Sequence, residues 1–188
     1  MPCLLRKLRF RLPPLACLWL SVCLGASPAP APSANESEAS VTAEILVTFA
    51  QLVDWPDSSR SAQLTICVLG LEAVPGVWAR VLHGRTINAR PIQLQLQPKG
   101  IATLACDVAF IPREEASNAA RHLGQLRKSG VLTVSNAPGF LDAGGHIGLF
   151  VEEGRLRFEV NPEAAKRSSL KLNSKLIKLG QVRKPKPV

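Results

Sequence analysis

The sequence predicts one α/β domain in which a mostly parallel sheet is flanked by helices and completed by a C-terminal β-hairpin. Short apolar runs of strand length alternate with segments whose apolar residues recur at helical spacing, as a parallel sheet with helical crossovers requires. Near the end, His146 to Val151 and Arg155 to Val160 flank Glu153-Gly154, a hairpin signal. The length, 188 residues, suits one hydrophobic core and is short for two.

The first residues read as an address rather than as part of that fold. Arg6, Lys7, Arg9 and Arg11 precede a short apolar run from Leu15 to Leu24 that ends in small residues, the pattern of a secretory signal peptide. The run is about half of the roughly 20 residues that a spanning helix needs. Cleavage is expected after Ala26, because Ala29 and Ala31 are each followed by proline. Leu20-Ser21-Val22-Cys23 faintly resembles a lipoprotein signal, with Val22 out of pattern. The expected organisation is a signal peptide over 1–26, a disordered Pro/Ala/Ser-rich leader over 27–40, the α/β domain over 41–180 and a basic tail over 181–188.

Within the domain, Ile45, Phe49, Leu52 and Val53 recur at helical spacing, with Glu44, Thr48 and Gln51 opposite them, and Trp55-Pro56 stops that helix. Gln63 to Leu69 is a short apolar run ending at Gly70, suited to a buried strand. A second helix is expected over Val77 to Leu82, ended by His83-Gly84. Ile92, Leu94 and Leu96 alternate with Gln93, Gln95 and Gln97, the period of a strand with one wet face. Asp107 to Ile111 reads as another buried strand, Arg113 to Lys128 as a surface helix ending at Gly130, and Val131 to Val134 as the next strand. Turns follow at Pro138-Gly139 and Gly144-Gly145. After the hairpin, Asn161-Pro162 opens a last helical region, with Asn as N-cap and Pro at the first position. The whole is an open sheet of the Rossmann or flavodoxin type plus the hairpin.

Charge and cysteine content narrow the function. Four of the 23 Lys and Arg lie in the signal peptide, so the remainder carries 19 against 14 acids and its formal net charge falls from +9 to +5. The excess gathers late, at Lys166, Arg167, Lys171, Lys175, Lys178, Arg183, Lys184 and Lys186. No aromatic residue follows Phe158 to stack on bases, so this is read as a solvated basic face and not as a nucleic-acid site; attraction to anionic lipid headgroups is a second reading. Cys3, Cys17 and Cys23 fall in the signal peptide, which leaves Cys67 and Cys106. In an oxidising compartment such a pair invites one disulfide, and two buried free thiols are the alternative.

Catalytic chemistry is thinly supplied. His83, His122 and His146 belong to no recognisable motif and read as structural or solvated, and no Gly-x-Ser-x-Gly elbow is present. No histidine pair has metal-ligand spacing, so neither metal nor cofactor is expected. The segment from Gly70 to Gly76 lacks the lysine and hydroxyl of a phosphate-binding loop. What remains is position: open α/β sheets bind ligands beyond the carboxyl ends of their parallel strands. That makes Gly70, Glu72, Ser135 and Asn136 the expected ligand-binding residues, in a protein that binds rather than catalyses.

Several stretches, taken in order, carry a resemblance. They are Val53-Asp54-Trp55-Pro56, Ile66-Cys67-Val68-Leu69-Gly70, Thr86-Ile87-Asn88-Ala89-Arg90-Pro91, Leu132-Thr133-Val134-Ser135-Asn136-Ala137-Pro138-Gly139-Phe140, Gly144-Gly145, Arg157-Phe158-Glu159-Val160-Asn161, and Leu170-Lys171-Leu172-Asn173-Ser174-Lys175-Leu176. Together they resemble the YfiR family over about Ala43 to Leu179. The resemblance implies a periplasmic, often dimeric protein that represses an inner-membrane diguanylate cyclase or sensor protein and is released by an outer-membrane lipoprotein. It also implies a family disulfide at Cys67 and Cys106. A second cysteine pair of the family has no counterpart here, Asn136 stands where an acid is expected, and His146 where an apolar residue is expected. Partner contacts are expected at Phe150, Phe158, Glu159, Leu170, Leu172 and Leu176, with core packing as the alternative for the two phenylalanines. The competing function is a small-ligand-binding module in transport or sensor-kinase signalling.

Overall fold

A computed structural model describes residues 33–55, 61–70, 75–97, 106–126 and 130–183. The expected signal peptide, residues 27–32 of the leader, residues 184–188 of the expected basic tail, and Glu72 lie outside these residues.

The first helix, α1 (Ala34–Gln51), begins at a capping box in which Ser33 Oγ accepts the Glu36 N–H and the Glu36 carboxylate accepts the Ser33 N–H. Helix therefore starts seven residues before Val41, inside the stretch expected to be a disordered leader. The Ser-x-x-Glu pattern satisfies two amides that would otherwise lack partners, which outweighs the local Pro/Ala/Ser composition. The helix buries Ala43, Leu46, Val47, Phe49 and Ala50. Trp55 then donates its indole N–H to the Ala50 carbonyl at 3.1 Å, folding the exit back on the helix.

The remaining elements follow in order: β1 (Val53–Asp54), β2 (Leu64–Leu69), α2 (Pro75–Leu82), β3 (Thr86–Ile87), β4 (Arg90–Gln97), β5 (Val108–Ile111), a 3-10 turn over Arg113–Asn118, α3 (Ala119–Leu126) and β6 (Leu132–Ser135). The chain closes with β7 (Ile147–Glu152), β8 (Arg155–Val160), α4 (Pro162–Arg167), β9 (Lys171–Leu172), α5 (Ser174–Leu179) and β10 (Gln181–Val182). Among the described residues the main sheet runs β10-β8-β7-β6-β5-β2-β4-β3, and β1 pairs with β9 in a separate two-stranded ribbon.

Strands β4, β2, β5, β6 and β7 are mutually parallel, whereas β8 runs antiparallel to β7 as the second arm of the hairpin. The first parallel strand, β2, lies between the second and the third, so the winding reverses between β2 and β5. This is the flavodoxin-like order, and the α/β expectation holds. Glu153 and Gly154 both adopt positive φ, 49° and 72°, the conformation of the tightest hairpin turn. Asn161 Oδ1 accepts the Ala164 N–H at 3.0 Å, with Pro162 opening α4 as expected.

Strand alternation divides the core into two layers. Ile66, Val68, Val108, Phe110, Leu132, Val134 and Ile147 pack beneath α1 and α2, while Cys67, Leu69, Ala109 and Ile111 face α3. On that second face Cys67 bonds Cys106, with 5.9 Å between their α-carbons, tying β2 to the entry of β5. Beside it, Arg90 and Asp107 form a largely buried ion pair at 3.0 Å, and Asp107 also accepts the Thr65 N–H at 2.7 Å. The disulfide and the ion pair register the start of β5 against β2 and β4.

Two expectations are corrected at the margins. The single surface helix expected from Arg113 starts as a 3-10 turn, its first residues held by an Asn136 side chain rather than by a helical cap. Residues 181–183, expected to belong to a basic tail, instead form β10 and its continuation: β10 lies parallel to β8, with Gln181 opposite Glu159. Among the described residues no helix is long and apolar enough to cross a membrane.

Candidate binding groove at the strand ends

The connection from β6 to β7 contains no helix. Residues 136–146 make successive turns, so the α3-side face of β7 and β8 is roofed by a turn segment. Ser135 Oγ accepts the Ala137 N–H at 2.9 Å and starts the first turn. Asn136 Oδ1 accepts the Arg113 N–H at 2.8 Å and joins the end of β6 to the end of β5. Phe140 then fills the space beside Gly145, where any β-carbon would run into its ring. A β-carbon on Gly148 would come within 3.3 Å of Leu141, so glycine there lets the roof approach the sheet.

Between roof and sheet lies a groove of about 450 Å³. Gly148, Phe150 and Glu159 form its floor, with Gly148 opposite Glu159 in the hairpin register. Phe140, Leu141 and Asp142 form one wall, Arg113 and Asn136 stand at one end, and Arg183 at the other. The Arg183 N–H donates to the Val160 carbonyl at 2.9 Å, which extends β10 by one residue. Its guanidinium reaches Asp142 at 2.7 and 2.9 Å and Glu159 at 3.4 Å. The bonds to Asp142 first, and the nearby Glu159 charge, raise the Arg183 pKa above its ordinary value. The groove thus offers an aromatic and aliphatic floor flanked by a bridged Asp–Arg–Glu cluster. This suits recognition of a partner segment carrying both apolar and charged side chains.

The expected contact residues divide between two faces. Phe150 and Glu159 are half-buried in the groove. Phe158 points to the opposite face, with its ring centroid 4.9 Å from that of Phe49, and so serves α1 packing. Leu170 and Leu176 are buried in the main core, which takes them out of reach of a partner. Leu172 is half-buried and lines a second, shallower hollow of about 420 Å³ with Lys166, Lys171 and Ile177. Phe158 thus follows its core-packing alternative, and Leu170 and Leu176, expected only as partner contacts, are buried in the same core.

The expected ligand residues also separate. Asn136 lines the groove, whereas Ser135 is fully buried with its hydroxyl engaged by Ala137. Gly70 ends β2 at φ +67°, donates its N–H to the Gln97 carbonyl at 2.7 Å, and abuts Glu115. Glu115 in turn accepts from Asn118 at 3.0 Å and lies 3.3 Å from His122 Nε2; these contacts, Asn118 first, lower its pKa. Gly70 therefore sits against Glu115, beyond the end of β5, and does not line the groove.

The histidines occupy three settings. His83 is exposed and His122 is buried against Glu115. His146, also buried, accepts the Thr133 N–H on Nδ1 at 3.1 Å, while Nε2 lies 3.0 Å from Ser168 Oγ. That arrangement needs a neutral ring with its proton on Nε2. Burial, the largest effect, lowers its pKa to about 4, opposed by a hydrogen bond to the Ala164 backbone and assisted by the Arg167 charge. Among the described residues no group of three His, Cys, Asp or Glu could hold a metal ion.

Sequence reasoning missed Phe140, Leu141, Asp142 and Arg183. Arg183 was counted among tail cations; the only hint of its place is the alternation of Gln181, Val182 and Arg183, too short to read as a strand.

A family model described as YfiR/HmsC-like matches residues 39–181. A search of curated proteins finds no match.

Proposed function

The chain belongs to the YfiR/HmsC-like family, and from that premise we propose that it is a periplasmic regulator that binds and represses an inner-membrane signalling partner such as a diguanylate cyclase. The groove is its contact surface. The observation that carries this reading is the helix-free face of β7 and β8, where Phe150 and Glu159 stand beside the Asp142–Arg183 pair. Aromatic and charged side chains gathered in one concave, partly desolvated patch are the usual anchors of a protein interface. Export by the signal peptide and release by an outer-membrane lipoprotein complete the proposal, and the Cys67–Cys106 bond is a structural brace in it.

Deletion of the gene tests the role. Cellular cyclic di-GMP is expected to rise, and the tagged protein is expected to retain a membrane signalling protein through washing. Unchanged cyclic di-GMP together with no retained membrane protein would refute repression.

The second reading is a small solute in the same groove, favoured by its volume and by Arg113 and Arg183 at its two ends. Calorimetry with nucleotides and amino acids would give measurable heat if a solute is the occupant, and none if a protein segment is.

A further inference from the structure

After β8 the chain folds into three short elements, α4, β9 and α5, that each bury one side and leave the other in water. Ala165, Leu170 and Leu176 pack into the main core. What stays outside is cationic: Lys166, Arg167, Lys171, Lys175 and Lys178 are all exposed. Acids are scarce at this corner. Glu163 opens α4, and Asp54 stands opposite Lys171 in the β1–β9 ribbon, so five cations stand against two carboxylates. Among the described residues none of the five makes an ion pair, whereas Arg85, Arg90, Arg157 and Arg183 each face a carboxylate.

Apolar side chains break the surface at the same corner. Leu179 is 71% exposed and Val182 51%. On α5, Leu176 is buried, while Lys175, Lys178 and Leu179 lie outward, three and four residues apart on one side of the helix. Beside them the half-buried Leu172 and Ile177 line a shallow hollow together with the exposed Lys166 and Lys171.

Unpaired lysines beside protruding aliphatic residues match one kind of surface. An ammonium is a compact point charge on a flexible stem, suited to a layer of mobile phosphates, whereas carboxylates on a folded protein are better held by the planar fork of arginine. Lysine stems and a leucine can enter a headgroup layer while the ammoniums stay at phosphate level. No aromatic residue follows Phe158 to stack on bases. We infer that the corner made by α4, β9 and α5 docks on an anionic phospholipid bilayer, with Lys166, Lys171, Lys175 and Lys178 on headgroup phosphates and Leu179 in the interface. The corner packs on the α1 side of the sheet and the groove opens on the α3 side. Lipid at the corner therefore leaves the groove open, and the inference does not depend on what occupies the groove.

The test uses the processed chain with its disulfide formed. It is floated with vesicles of equal parts phosphatidylglycerol and phosphatidylcholine, and with vesicles of phosphatidylcholine alone. Binding is expected on the anionic vesicles only, and should weaken as salt shortens the screening length. Lys171→Gln combined with Lys175→Gln should lower the partitioning about tenfold. Arg80→Gln combined with Arg155→Gln removes the same charge from exposed sites elsewhere, and should leave partitioning within about twofold of the wild type. A fluorophore on Leu179→Cys should shift to shorter wavelength on the anionic vesicles and not on the neutral ones, a readout that a folding defect does not imitate. Equal losses in the two double variants, or an unshifted fluorophore, would overturn the proposal. So would a wild type that ignores anionic vesicles, which would leave the corner to an acidic protein.

Discussion

The guanidinium of Arg183 lies 2.7 Å from the carboxylate of Asp142, across 41 residues of sequence. This pair fastens the last strand of the sheet to the turn that roofs Gly148. Both side chains are well exposed, so water screens the bond and it adds little to global stability. Its weight falls on the shape of the groove. Asp142→Asn is therefore expected to leave the urea midpoint almost unchanged while weakening partner retention about tenfold or more. Parallel unfolding and binding titrations check both halves of that statement.

The Cys67–Cys106 bond closes a loop with a sequence separation of 39. In the chain-entropy view such a closure contributes about 4 kcal/mol by restricting the unfolded chain. Replacing both cysteines by serine should lower the unfolding free energy by roughly 3 to 4 kcal/mol, as read from urea denaturation. A loss well below that range would mean that the native geometry is strained or that the unfolded chain keeps structure in the loop.

His146 makes stability depend on pH with a definite sign. Its folded pKa is lowered to about 4 from 6.5, so between those values the unfolded chain takes up a proton that the folded ring refuses. The stabilisation is complete above about pH 6.5 and is lost as pH falls toward 4, by roughly 3 kcal/mol across the window. Unfolding free energies at pH 7 and pH 4.5 should differ in this direction. In His146→Leu this contribution to the slope should disappear, leaving that of the carboxylates.

Asp107 is a sharper structural test. Its carboxylate pairs with Arg90 and accepts the Thr65 N–H, all with little exposure. Asp107→Ala would leave a buried guanidinium without its counter-charge, at a cost of about 3 to 5 kcal/mol. Thermal unfolding of that variant measures it. Asp107→Asn, which keeps an acceptor for Thr65, should lose less.

How much of this was legible depended on the length scale of each signal. β2, β5 and the β7–β8 hairpin were readable because apolar runs and Glu153-Gly154 are local patterns, and α4 because Asn161-Pro162 is a local cap. The start of α1 was misjudged because the composition around Pro32 and Ser33 obscured the capping pair Ser33 and Glu36. Two-residue strands such as β1, β3, β9 and β10 carry no periodicity at all. The groove was half visible: Phe150, Glu159 and Asn136 belong to it, but Asp142 and Arg183 meet only through the fold. Leu170 and Leu176 show the converse, since their spacing among lysines suggests a surface and their burial shows a core.

The central claim is that Glu159, on the floor of the groove, takes part in repressing a membrane signalling partner. Cellular cyclic di-GMP in a deletion strain complemented with either the wild type or Glu159→Lys tests it most directly, with equal amounts of folded protein confirmed. The account predicts a low level with the wild type and a level as high as in the deletion strain with the variant. Full repression by Glu159→Lys would contradict it.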